Sequence, residues 1–309
     1  MDLDSRVFIA GHRGLVGSAI GRALTARGFS NLLTRTRAEL DLTQANAVNS
    51  FFQTERPEYV ILAAAKVGGI LANDSFPVDF LRDNLEIQTN VIDAAFNSGT
   101  RKLCFLGSSC IYPRLAAQPI NEGSLLTGPL ESTNEWYAIA KIAGIKLCQA
   151  YAKQHGFDAI SLMPTNLYGP GDNFDLASSH VLPALLRKFH EAKISQAAQV
   201  TVWGSGQPLR EFLHVDDLAD AVCFLMEHYD SPEIINVGVG KDISIAELAE
   251  LIRKIVGYTG AIDFDRSKPD GTPRKLLDVA KLNAAGWRAK IGLEQGIRQT
   301  YDWYLSTLA

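Results

Sequence analysis

The sequence has no run of about 18 apolar residues, the length a helix needs to cross a bilayer, so no membrane span is expected. It has little cysteine. Only Cys104, Cys110, Cys148 and Cys223 occur, with no CxxC spacing and no histidine at ligand spacing beside them. That argues against a zinc site and against a disulfide framework, and no metal is expected. A basic excess is also missing: 30 Lys and Arg stand against 34 Asp and Glu, a formal charge of −4. Tracking phosphates needs a basic face, so nucleic acid is not an expected partner. The start, MDLDSRVFIAG, has neither the basic residues nor the long apolar core of a secretory signal, which points to the cytoplasm. Internal repeats and low-complexity tracts are absent.

What is there is ordinary globular composition, 47% hydrophobic and 21% charged over 309 residues, enough for one large domain or two modest ones. Short apolar strands are expected at 6–10, 31–34, 59–64, 102–107 and 159–163. Helices are expected between them: from Leu15 to about Arg27, from a cap at Asp41 or Thr43 to Thr54, over Asp79 to Asn97, and over Glu135 to His155. The alternation defines an α/β fold, a doubly wound Rossmann-type parallel sheet, with ligands at the carboxyl ends of the strands. After Pro164 the rhythm changes. TNLYGPGDNF (165–174) reads as a loop. Beyond it come helices near 181–192, 216–228, 244–256 and 293–306, with strands near 199–203, 210–213 and in IINVG. The expected division is a coenzyme domain over 1–166 and a smaller α/β substrate lobe over 167–309, with segments near 204–237 returning to the first sheet.

Directly after the first strand comes Gly11-His12-Arg13-Gly14-Leu15-Val16-Gly17, then a helix. Glycines at such a turn let the backbone approach a pyrophosphate, which the helix N-terminus stabilises. An acid that would hold an NAD ribose is missing from the end of the second strand, which reads Thr34-Arg35-Thr36-Arg37. A guanidinium fork suits a phosphate, so Arg13 and Arg37 favour NADP. Asp41 is placed to accept from the adenine. Tyr137 and Lys141, four apart on a helix, share one face. An ammonium beside a phenol lowers its pKa and readies it as a proton donor. Ser108, on the rim GSSCIYP, can hydrogen-bond the same carbonyl oxygen. Asp216 reads as a helix cap worth about 1 kcal/mol, and His214 receives no role.

The glycine turn GHRGLVG, the rim serines and YAIAK resemble the extended short-chain dehydrogenase/reductase family. The segments KVGGI, GSSCIYP, NEWYAIAKIAGIKLC, MPTNLYGPGDNF, WGSGQPLREFLHVDD and KPDGTPRKLLD carry the resemblance along nearly the whole chain. The resemblance implies a homodimer built across helices 79–97 and 135–155. It implies a GDP-sugar substrate whose C3 and C5 are inverted before NADPH-dependent reduction of the C4 ketone. The catalytic residues implied are Ser108, Tyr137 and Lys141 for reduction, with Cys110 as base and His180 as acid for the inversions. A thiol and an imidazole, with ordinary pKa values of about 8.5 and 6.5, both exchange protons near neutrality. Cofactor contacts are implied for the glycine turn (Gly11 to Gly17), Arg37, Asp41, Leu42, Leu106, Gly107, Lys141, Pro164, Asn166, Leu167 and His180. Substrate contacts are implied for Ser109, Lys188, Trp203, Arg210 and Asp270. From the residues alone, Trp203 reads equally as packing, and Arg187, Arg274 and Lys275 as solvated surface. The rival readings are a 4-epimerase or 4,6-dehydratase on the same frame, and a non-catalytic NADP-binding sensor. LGSSCIYP has no acid pair for a dehydratase, and the chain keeps both the tyrosine and the lysine that a sensor can lose.

Overall fold

The computed structural model describes every residue except Ala177, Pro269 and Ala309, and leaves out the side chains of Ile70 and Leu71. Pro269 in KPDGTPRKLLD and the Ile70 side chain in KVGGI therefore lie outside the described residues. The chain begins β1 (Val7–Ala10), α1 (Leu15–Ala26), β2 (Leu32–Leu33), α2 (Ala45–Glu55), β3 (Tyr59–Leu62), α3 (Ile70–Ser75) and α4 (Pro77–Ser98). It continues with β4 (Lys102–Leu106), α5 (Glu135–His155), β5 (Ala159–Pro164), β6 (Asn166–Tyr168), α6 (Val181–Ile194), β7 (Gln199–Trp203), β8 (Leu209–His214) and α7 (Val215–His228). Last come β9 (Ile235–Val237), β10 (Asp242–Ser244), α8 (Ile245–Val256), β11 (Ala261–Asp265), β12 (Arg274–Lys275), α9 (Ala280–Ala284) and α10 (Leu293–Ser306).

Six strands form one parallel sheet in the order β2-β1-β3-β4-β5-β9. Its inner strands are apolar without alternation because helices cover both faces. On one face α1 and α7 pack over Ile9, Ile61, Cys104 and Ile160; on the other α2, α4 and α5 pack over Phe8, Val60, Leu103 and Phe105. Strand order reverses between β1 and β3, which opens a crevice at their carboxyl ends. A third core of Leu185, Leu186, Phe189, Leu248, Ile252 and Ile297 joins α6, α8 and α10.

Several local expectations need correction. Residues 166–168 are not loop: they form β6, parallel to β8 with Asn166 opposite Phe212. The pairing partner lies more than 40 residues on, so no local pattern announces it. β10, β11 and β12 are likewise strands made by distant partners, β8 and β7. Neither Asp41 nor Thr43 caps α2, which starts after Gln44 without a side-chain cap. Asp41 instead accepts from the Thr43 N–H (3.0 Å) and hydroxyl (2.8 Å). Nor is Asp216 the cap of α7. His214 is, its Nδ1 accepting from the Asp216 N–H at 3.2 Å, while the Asp216 carboxylate turns outward to Arg22 at 2.7 Å.

Candidate active site

Gly11 has φ +89°, and a Cβ there would sit 2.7 Å from the Ala64 nitrogen on the neighbouring strand exit. A Cβ on Gly17 would overlap the Gly11 carbonyl oxygen, so the turn can be this tight only without side chains. Gly14 donates to Gly11 O at 3.0 Å and heads α1 with no side-chain cap and no acid in the first turn. The free N–H groups there suit a pyrophosphate. Leu15 and Val16 pack inward against the core, Arg13 is exposed, and the buried Nδ1 of His12 has no partner among the described residues. These residues fit a dinucleotide. At the adjoining edge Arg37 is mostly exposed and lies 3.5 Å from Asp41. Leu42 packs against the core, its carbonyl accepting from Asn90 at 2.9 Å. Arg35 is committed elsewhere, to Glu55 at 2.5 Å.

β4 ends at Leu106, and after Gly107 the chain turns into Ser108, whose hydroxyl accepts from the Cys110 N–H at 3.2 Å. Ser109 is buried beneath this rim. Tyr137 and Lys141 come to the rim from α5. Lys141 is 4% exposed, and its ammonium donates to Leu106 O at 2.8 Å and lies 4.8 Å from the Phe105 ring centre and 5.8 Å from that of Tyr137. Burial pulls its pKa down to about 8. The expectation that the lysine lowers the phenol's pKa is corrected: burial and the neighbouring Cys110 raise it, against a lowering hydrogen bond from Ser108. Tyr137 therefore stays protonated at neutral pH, the state a proton donor needs. Pro164, Asn166 and Leu167 lie at the neighbouring exit of β5, where Asn166 Nδ2 donates to Glu211 O at 2.7 Å.

Cys110 is half-buried, and the Lys275 ammonium donates to its sulfur at 3.4 Å. Lys275 thus belongs to the site rather than to solvated surface, although nothing in the sequence near either residue signals a contact across 165 positions. Arg274 is not free surface either, since it pairs with Asp242 at 2.6 Å. His180 precedes α6 with extended backbone and makes no side-chain cap bond. The residue is exposed at the surface, although protein surrounds it on its inner side. Burial first and Lys275 second lower its pKa. Lys275 thus bonds Cys110 and lies near enough to His180 to act on it electrostatically, as Cys110 does on Tyr137, which puts thiol, imidazole and phenol in one neighbourhood.

Farther along, Trp203 ends β7 with 52% of its surface exposed, under the ammonium groups of Lys188 (5.2 Å) and Lys268 (5.6 Å). A packing role for the indole does not account for that exposure. Lys188 also donates to Thr201 O at 3.2 Å. Asp270 accepts from the Ser205 N–H (2.6 Å) and hydroxyl (2.8 Å) and attracts the half-buried Arg210. Arg187, the remaining cation of doubtful role, holds Phe174 O at 3.1 Å in the segment leading to His180.

Residues 7–238 match the NAD dependent epimerase/dehydratase family, and the chain belongs to that family. Among curated relatives it is 64% identical to "Probable GDP-L-fucose synthase 1" of Oryza sativa subsp. japonica over 308 residues, 99% of this chain and 94% of that one. It is 58% identical to the GDP-L-fucose synthase of Escherichia coli (strain K12) over 309 residues, 97% of this chain and 96% of that one. Among solved structures, the GDP-L-fucose synthetase of Naegleria fowleri bound to NADP superposes with a TM-score of 0.92 at 31% identity, covering 100% of this chain and 96% of that one.

Two outcomes test this geometry. Gly17→Ala should destabilise the fold by roughly 1–3 kcal/mol, the cost of overpacking, and weaken NADPH binding; unchanged melting and titration curves would refute the close approach. For Lys141, the cost of burying the ammonium is fully present below about 8 and is lost as pH climbs toward the ordinary 10.5. In that window the unfolded chain holds a proton the folded one has released, so stability rises with pH. The Tm of Lys141→Met minus that of the native protein should therefore fall from neutrality to alkaline pH. A gap independent of pH would overturn the assignment.

Proposed function

We propose that this protein converts GDP-4-keto-6-deoxy-D-mannose to GDP-L-fucose, inverting C3 and C5 and then reducing the C4 ketone with NADPH. The observation that carries the reading is the contact of the Lys275 ammonium with the Cys110 sulfur at 3.4 Å, with His180 within the electrostatic reach of that lysine and Tyr137 within that of Cys110 and Ser108. A ketone at C4 acidifies the protons on its neighbouring carbons. Cys110 removes such a proton, and the enolate oxygen is met by Tyr137 and Ser108. The Lys275 ammonium, donating to the sulfur, places a positive charge beside it. His180 returns a proton from the opposite face. Burial and Lys275 lower its pKa, which favours release of the proton it carries. Bound NADPH supplies the hydride for C4. Tyr137 gives its proton to the oxygen there, and Lys141 and Ser108 keep the phenol in place.

In this reading the glycine turn Gly11 to Gly17, Arg37, Asp41, Leu42, Leu106, Gly107, Lys141, Pro164, Asn166, Leu167 and His180 hold the coenzyme. Arg13 and Arg37 select its 2′-phosphate. Ser109, Lys188, Trp203, Arg210 and Asp270 hold the nucleotide sugar. The exposed indole offers a platform for the base, and two ammonium groups beside it offer charge for the diphosphate. Residues 1–166 supply most of the coenzyme side and 167–309 most of the substrate side. We assign the protein to the cytoplasm, which suits its four free thiols. We also assign a homodimer across α4 and α5, where Val78, Trp136 and Ile139 stand exposed. Sedimentation at micromolar concentration should give twice the chain mass, and a clean monomer refutes the assignment.

The deciding measurement is deuterium wash-in from heavy water without NADPH, followed by NADPH consumption with substrate present. Label should enter at C3 and C5. Reduction without any label would leave a plain ketone reductase. Cys110→Ser should lose the labelling yet still reduce a keto-sugar already epimerised. Tyr137→Phe should slow reduction by about 10²–10⁴-fold and let the epimerised ketone accumulate.

A further inference from the structure

Glu211 has no exposed surface, and among the described residues no cation reaches its carboxylate. Backbone N–H groups meet the carboxylate instead. Oε1 accepts from Val239 (2.6 Å) and Gly240 (2.7 Å), and Oε2 accepts from Leu277 at 3.0 Å. The loop after β9 runs so close that a Cβ on Gly238 would overlap Oε1. The Glu211 carbonyl also accepts from Thr165 Oγ1 (3.3 Å) and Asn166 Nδ2 (2.7 Å). One residue of β8 thus ties together the exit of β5, the loop after β9 and the segment after β12. A buried carboxylate with no cation is costly, and three N–H bonds only partly offset that cost.

The position of Leu277 suggests why such a group is kept. It lies two residues past Lys275, and the extended segment 274–277 is held from both edges. Glu211 grips one edge. On the other, Leu276 N–H donates to Gln118 Oε1 at 2.9 Å, and Leu276 O accepts from Ile120 N–H at 2.8 Å. Lys275 leaves this clamped strand to reach the Cys110 sulfur. A lysine side chain is long and flexible, so the placement of its ammonium depends on how firmly its backbone is fixed.

We propose that Glu211 is a positioning residue: by locking the 274–277 strand it sets the Lys275 ammonium against the Cys110 sulfur and so readies the thiol for proton exchange. The inference builds on the role given to Cys110 in the proposed function, but its test does not require that role. Cys104, Cys148 and Cys223 are buried, so alkylation by iodoacetamide at neutral pH reads Cys110 alone. Glu211→Gln and Lys275→Gln should each slow alkylation about tenfold, the effect of losing one charge-assisted contact. The double variant should be no slower than Lys275→Gln, because Glu211 acts through the lysine. NADPH affinity should be kept in Glu211→Gln, and its deuterium wash-in at C3 and C5 should fall in parallel with alkylation.

Alkylation at the native rate in Glu211→Gln, or losses that multiply in the double variant, would overturn the proposal. If Glu211→Gln does not fold, Gln118→Ala releases the same strand from its other edge and enters the same cycle with Lys275→Gln. Multiplying losses, or no loss, overturns the proposal there as well. Absence of wash-in from the native protein would instead sink the proposed function while leaving the alkylation coupling intact.

Discussion

A single ammonium, sealed from water, joins the two elements that carry the reacting groups. Lys141 reaches from α5 to the last carbonyl of β4, so the helix bearing Tyr137 and the rim bearing Ser108 and Cys110 cannot shift independently. Phe105 beneath it closes off solvent. The contact lies where a positive charge is least comfortable, and its lowered pKa measures that discomfort. The geometry of the phenol, the hydroxyl and the thiol follows from this one buried bond. Lys275 reaches the same rim from β12 through its bond to the Cys110 sulfur.

The site was legible in the sequence to the extent that its parts are local. The glycine turn is strand, bend and helix in one continuous stretch, and the structure keeps that order. Tyr137 and Lys141 share a helix whose bounds, Glu135–His155, agree with the apolar pattern. What the sequence hides is made by partners far apart in the chain. β6 is a strand because β8 lies beside it, and β12 because β8 extends past it. Lys275 sits in a Pro/Gly-bounded stretch that looks solvated, and only the fold brings it to Cys110. Asp216 shows a different failure. It has the right chemistry for a cap, but His214, two residues earlier, already fills that place, and Arg22 from α1 draws the carboxylate away.

The two walls of the cleft use charge differently. On the reduction side, burial raises the phenol and depresses the lysine, so both approach the neutral state. Beside them, the Lys275 ammonium donates to the Cys110 sulfur and discourages a cation on His180.

The outermost strand of the main sheet, β9, is laid against β5 only after the chain has passed out through β6, β7 and β8 and back over the sheet as α7. The two halves are threaded through each other, and no single cut separates them. A fragment ending near residue 166 would leave β5 with a bare edge of unpaired amides and carbonyls, a template for clumping. During synthesis, too, the main sheet must wait for the far half to emerge before it is complete.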